Sequence, residues 1–445
     1  MALCLKTINM RRQDTRPHIT LLLVGLIALS AVAQDTDYVP LKEVVASLES
    51  GYTVLMGGQA KVKEYLGDEA YDELLCKNLA LLTAGNGCKW HYTENDDPPF
   101  DRCDRAREFA KECGMDFRHH TLVWGKESSN PEWLQPSSPE YGNWTAEEKR
   151  QIVIDHIQET VTRYKGQTKY YDVVNEALCD CVHRSAGANN KPSTCEDYFA
   201  TEETANEKCG WSDRYQAYLK KNVFWPDVED YISLSFETAH AADPDALLGL
   251  NEYKFESAVG YGNGGFLKEK GIGMYNLTRA LKDEGIPITY VGCQAHMDLD
   301  YYYDYEGYIE SLMEYSQTFT SDLGVEWHFT EITVSAVEEE ESSQDTIIAP
   351  TEDYCAGDWD PCNQLGGCCS EDFECFRRDK DYSQCRLHCP DPEEHDNWDC
   401  QLEGTFMTPE EQTVQALLYG GLMQACIDLG PAVCPAFQVR YFTFG

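Results

Sequence analysis

Two glutamates in this chain are placed where they could act as a pair. Glu176 lies in Tyr171-Asp172-Val173-Val174-Asn175-Glu176-Ala177 and Glu331 in His328-Phe329-Thr330-Glu331-Ile332, and each follows a short β-branched or aromatic run of the kind that forms a strand. Parallel α/β barrels gather their reactive groups at the carboxyl ends of strands. Cleaving a glycosidic bond needs one carboxyl to protonate the leaving oxygen and a second to attack carbon or activate water. Barrels also carry strand-end acids that only cap the next helix, so spacing alone does not separate chemistry from structure.

The elements that must position these residues can be read from the alternation of short β-like runs with helical patterns past residue 40. Strands are predicted at Thr53 to Gly57, Leu79 to Thr83, Phe117 to Trp124, Tyr170 to Val174, Leu247 to Asn251, Ile288 to Gln294, Glu326 to Thr330 and Phe437 to Phe442. Helices fall between them. One runs from Phe100 to Cys113 and stops at Gly114; another opens on the capping box Thr145-Ala-Glu-Glu148, and a third on Thr408-Pro409-Glu410-Glu411. Eight such units predict an α/β fold, the (β/α)8 TIM barrel.

Composition narrows the partners. With 36 Lys and Arg against 77 Asp and Glu, the net charge is −41, so there is no basic footprint for nucleic acid or an anionic membrane. The 42% apolar and 12% aromatic content is enough for a packed core rather than a disordered acidic chain. Arg11, Arg12 and Arg16 precede the apolar run Ile19 to Ala33, and Ala31-Val32-Ala33 is a cleavage pattern, so residues 1–33 read as a secretory signal. Twenty cysteines fit the oxidising compartment that a signal implies, and the sequons at Asn143 and Asn276 agree with it.

The domain expected is therefore 34–445, one barrel with two interruptions. Residues Cys179 to Trp225 contain four cysteines and read as a disulfide-tied loop plus a short helix. Between Cys355 and Cys400 there are eight cysteines in 46 residues, too dense for an apolar core, so disulfides must staple this insertion after strand 7. The acidic run Glu338 to Glu341 ahead of it reads as solvated charge.

Six motifs, in chain order, add a resemblance. Asn86, Lys89 and Trp90; His120-Thr121-Leu122-Val123-Trp124; Asp172 to Ala177; Asp243-Pro244-x-Ala246 with Leu250-Asn251-Glu252-Tyr253; Gly292-Cys-Gln294-Ala-His296; and Thr330-Glu331-Ile332 closely resemble glycoside hydrolase family 10, the endo-β-1,4-xylanases. The resemblance runs from about residue 50 to the C-terminus. It implies a secreted enzyme that hydrolyses internal bonds of xylan, a plant-type or algal cell-wall polysaccharide, by double displacement. Glu176 would be the acid/base and Glu331 the nucleophile, with carboxyls roughly 5 to 5.5 Å apart. Asn175 would hold the sugar 2-OH, His296 would hydrogen-bond Glu331, and Gln294 would face the same site. Asn86, Lys89, His120 and Trp124 would line the glycone side. No metal or other cofactor is implied, and a monomer is expected. Cys375 to Cys385 is similar to the end of family 1 carbohydrate-binding modules, with Trp359, Phe373, Phe376 and Tyr382 as aromatics for insoluble polysaccharide. A purely structural, disulfide-stapled loop fits this segment equally.

The departures from the family pattern are as informative. Gly85 stands where Glu is usual, Gly125 and Glu127 where His and Gln are usual, and Thr333 where a carboxylate follows the nucleophile. Cys426 and Cys434 resemble a paired set before strand 8, and Cys293 is expected to be a buried unpaired thiol. After strand 8 the usual Trp-Gly-Phe-Thr-Asp appears as Arg440-Tyr441-Phe442-Thr443-Phe444, and the sequence stops at Gly445. A barrel lacking its last helix is expected on this reading. The alternative function is a carbohydrate-binding protein that keeps the barrel without turnover.

Overall fold

The structure is a computed structural model and describes residues 40–46, 54–62, 66–179, 208–256, 266–298, 305–335, 374–379, 382–386, 401–402, 419–420, 422–430 and 432–439. Eight parallel strands make the barrel: β1 Leu55–Gln59, β2 Leu81–Thr83, β3 Asp116–Trp124, β4 Tyr170–Asn175, β5 Leu247–Glu252, β6 Tyr290–Cys293, β7 Glu326–Ser335 and β8 Ala436–Val439. Each pairs with the next in this order, and β8 pairs with both β7 and β1, which closes the cylinder. All eight coincide with the runs predicted from the sequence to within a few residues. A short strand, His296–Asp298, continues alongside the end of β7.

Helices α1 Glu69–Asn78, α2 Asp101–Glu112, α3 Ala146–Tyr164, α4 Tyr231–Ala242, α5 Phe266–Asp283 and α6 Tyr305–Leu323 lie between strands. The Thr145–Glu148 capping box forms at the start of α3, with the Thr145 hydroxyl and Glu148 carboxylate each taking an orphan backbone N–H. Gly114 supplies the left-handed turn after α2, at φ 66°.

Outward-facing strand residues such as Phe117, Val173 and Phe329 are buried in the large apolar core. The barrel axis is different, because it holds a polar stack. The Arg118 guanidinium donates to Asp172 Oδ1 at 3.1 Å and meets His328 Nδ1 at 2.8 Å, and its Cζ lies 5.3 Å and 5.0 Å from the Tyr170 and Tyr290 rings. A buried cation is tolerable only with this kind of partnering.

Four disulfides occur among the described residues: Cys76–Cys113, Cys88–Cys103, Cys179–Cys209 and Cys426–Cys434, and Cys293 is a buried free thiol. The last pair and the lone thiol agree with the sequence expectation. Among the described residues of 179–225 the chain folds as an antiparallel hairpin, Cys209–Ser212 with Ala217–Lys220, where a disulfide-tied loop plus a short helix was expected. Glu374–Asp379 and Tyr382–Arg386 of the second insertion form a three-stranded antiparallel sheet with Gln401–Leu402, which directly follows it. The proposed signal, the acidic run 338–341, Trp359, Phe373, the helix start at Thr408 and residues 440–445 lie outside the described residues.

Candidate active site

β4 and β7 carry the two glutamates. Glu176 follows β4 directly, and its backbone takes φ 53°, a left-handed conformation that costs a residue with a Cβ on the order of 1 kcal/mol. Its N–H is held by Asn251 O at 2.9 Å. Glu331 sits within β7, where the ladder to β8 shifts register between Phe329 and Ile332. Both carboxyls are mostly buried yet reachable, with side chains 16% and 19% exposed.

One amide network ties them together. Gln294 Nε2 donates to Glu176 Oε1 at 3.1 Å and to Asn175 Oδ1 at 3.3 Å, and Asn175 Nδ2 donates to Glu176 Oε1 at 3.2 Å. Asn251 Nδ2 then bridges Asn175 Oδ1 and Glu331 Oε1, both at 2.9 Å, while its own Oδ1 accepts from the Thr330 hydroxyl at 2.7 Å. Asn251 is the second residue of the motif Leu250-Asn251-Glu252-Tyr253, whose resemblance gives this side chain no role. It lies one residue before the end of β5, in register with Asn175 at the end of β4. Gly292 on β6 makes room for it, since a Cβ there would stand 2.3 Å from Asn251 Oδ1.

The two histidines approach Glu331 without hydrogen-bonding it. His296 Nε2 is 3.7 Å from Oε2 and His120 Nε2 is 3.9 Å from Oε1, both too long for a hydrogen bond. The direct bond expected from His296 is supplied here by Asn251. His296 is oriented instead by Thr333, whose hydroxyl donates to Glu331 O at 3.1 Å and meets His296 Nδ1 at 2.8 Å. Thr333 thus keeps a partner for the ring where the family pattern has a carboxylate. His120 Nδ1 is anchored on Asp172 Oδ2 at 2.9 Å. Burial alone would raise the Asp172 carboxyl, but the Arg118 charge and the hydrogen bonds from His120 and Tyr290 hold it at about 2.

Of the expected glycone residues, His120, Trp124 and Lys89 fall together at one end of this cluster. Lys89 Nζ lies 4.7 Å from the Trp124 ring, and the His120 and Trp124 rings meet at 6.4 Å. Asn86 is exposed in the turn before Lys89, with its carbonyl accepting the Lys89 N–H. Trp90 is a core residue, stacked on His156 at 3.7 Å and 6°. Two departures have local causes. Gly85 has φ 57°, and a Cβ there would press on Ala60 O at 2.9 Å; at Gly125 a Cβ would meet Asn222 Nδ2 at 2.3 Å.

On the other side, Lys220 from the hairpin brings Nζ to 3.9 Å from Glu176 Oε2 and donates to Tyr253 OH at 3.0 Å. Nothing in the sequence marked Lys220, because it sits inside an interruption of the family pattern. The one metal-like grouping among the described residues, Cys88, Cys103 and His119, is a disulfide beside an imidazole, so its sulfurs are already bonded to each other.

The sequence profile of glycosyl hydrolase family 10 matches residues 45–357. The chain is 27% identical over 318 residues to endo-1,4-beta-xylanase B of Thermotoga neapolitana, covering 71% of this chain and 74% of that protein. It is 28% identical over 260 residues to endo-1,4-beta-xylanase B of Neocallimastix patriciarum, covering 58% of this chain but only 24% of that longer protein. Native xylanase 10B from Thermotoga maritima superposes with a TM-score of 0.56 at 22% identity over 91% of this chain and 86% of that one, which shows a shared fold.

Proposed function

Because the chain belongs to glycosyl hydrolase family 10, we propose that it is a secreted endo-β-1,4-xylanase that cleaves internal bonds of xylan with retention. Glu331 attacks the anomeric carbon while Glu176 gives its proton to the departing glycosidic oxygen. Glu176 then takes a proton from water as that water attacks the same carbon and releases Glu331. The observation that carries this reading is the continuous network Glu176–Gln294–Asn175–Asn251–Glu331, which couples the carboxyls carried by β4 and β7. The named activities of the relatives supply the substrate class. Lys89, Trp124, His120 and Asn86 bind the glycone sugars in this scheme, Asn175 orients the 2-OH, and His296 faces the nucleophile. The second insertion, 355–400, is proposed to hold insoluble polysaccharide close to the barrel.

The test is reducing-sugar release from soluble xylan by the full chain, with Glu331→Ala as blank, and NMR of the first-formed anomer. Release with β-product first is expected, and Glu176→Ala should lower kcat by about 10²- to 10⁴-fold. A folded full-length protein that releases nothing above the blank would sink the enzyme in favour of a binding protein without turnover. Depletion of the same preparation by insoluble xylan reads the insertion, and no depletion would count against its role.

A further inference from the structure

The hairpin after β4 is built onto the residues that follow Glu176. Lys220 N donates to Ala177 O and Cys179 N donates to Tyr218 O, each at 2.9 Å, and the Cys179–Cys209 disulfide closes the unit. Strand alternation gives it two different faces. Ala217 and Leu219 point inward and are buried, and Gly210 lies so close to Trp225 that a Cβ would come within 2.2 Å of the indole. The opposite face carries Lys220, Tyr218 and Trp211, because Trp211 pairs with Tyr218 and Cys209 with Lys220.

Trp211 is 46% exposed, one of two large hydrophobic residues so open among the described residues. Its ring is held in place, since Nε1 donates to Asp213 Oδ1 at 2.9 Å and Tyr218 meets it edge-on at 5.0 Å and 67°. The face is continuous with the site: Lys220 Nζ stands 3.9 Å from Glu176 Oε2, and the aromatic pair follows roughly 7 Å further along the strand.

We propose that Lys220, Tyr218 and Trp211 form a platform for the leaving-group end of the polysaccharide. This rests on Glu176 being the acid that protonates the leaving oxygen, because a surface continuing outward from that carboxyl meets the sugars beyond the cleaved bond. The Lys220 ammonium meets a hydroxyl of the nearest leaving sugar, and the indole and phenol rings take the C–H faces of the next ones. A ring fixed by a side-chain hydrogen bond on a disulfide-closed hairpin loses little freedom when it binds. A neutral polymer also meets no repulsion from a chain of charge −41. Binding at a distance from the reacting bond can be expressed in turnover as well as in affinity.

The test compares the full chain with Trp211→Ala and Tyr218→Ala on two substrates, xylohexaose and an aryl β-xylobioside whose leaving group is a phenol. The platform is absent from the second reaction. The ratio of kcat/KM on xylohexaose to that on the aryl xylobioside is expected to fall about tenfold in Trp211→Ala. An unchanged ratio, whether both rates hold or both fall together, overturns the proposal. If the wild type cleaves neither substrate, the enzyme reading fails separately, and the platform is judged by migration in native gels containing soluble xylan. Retardation of the wild type that is lost in Trp211→Ala sustains it; equal retardation, or none, overturns it.

Discussion

Asn251 is the residue on which the two carboxyls depend jointly, since one amide group reaches both Asn175 and Glu331. Removing it leaves Glu331 Oε1 without its direct amide donor, and Asn251→Ala is expected to lower kcat on an aryl β-xylobioside about 100-fold, the scale of one preorganised donor. Gly292 offers an independent route to the same defect. A methyl at 292 must displace the Asn251 amide, so Gly292→Ala should lower kcat although residue 292 is not expected to touch sugar. Because both changes act through one group, the double variant should be no slower than Asn251→Ala. Additive losses in kcat would show that Gly292→Ala acts by some other path.

At the scale of elements, the helix start at Thr145 shows what local chemistry contributes. Its capping box is solvent-exposed and its side-chain bonds run only between Thr145 and Glu148, so Thr145→Ala should lower the free energy of urea unfolding by about 1 kcal/mol and leave kcat unchanged. That box was legible in the sequence, as were the eight strands, because each depends on residues adjacent in the chain. The two glutamates were legible for the same reason, although β7 runs on past Glu331 to Ser335. The hairpin was not: its strands are four residues each, contain Gly and Ser, and exist through pairing with Ala177–Cys179 and a disulfide across thirty positions. Lys220 was hidden with it. Asn251 was visible as part of a motif, but its role is a bridge between β4 and β7, and spatial bridging has no signature along the chain.

For the molecule as a whole, acid sensitivity follows from what the barrel buries. Burial pushes His119 and His156 down to about 3, and His328 to about 4. These imidazoles stay neutral in the fold but take up protons when unfolded, so stability is full above about pH 6.5 and declines as pH falls toward 4 and 3. Asp172, held at about 2 against an ordinary 3.8, adds a second decline below about pH 4 as it is forced to protonate. Urea midpoints measured from pH 7 to 3 should therefore fall from the first step below 6.5. His156→Gln should flatten the upper part of that decline, and an unchanged slope would place the sensitivity elsewhere.

Closure of the barrel also has a timetable. β8 is inserted between β1 and β7, and Gln438 reaches back to Gly58 and Thr83, so the first and last strands are mutual partners. During synthesis, about 100 residues must still emerge after β7 before β8 exists, which at ribosomal speed takes about 5 to 20 s. Throughout that interval the nascent sheet has two unpaired edges. Its safe passage depends on whatever holds those edges apart from other chains in the compartment where it is made.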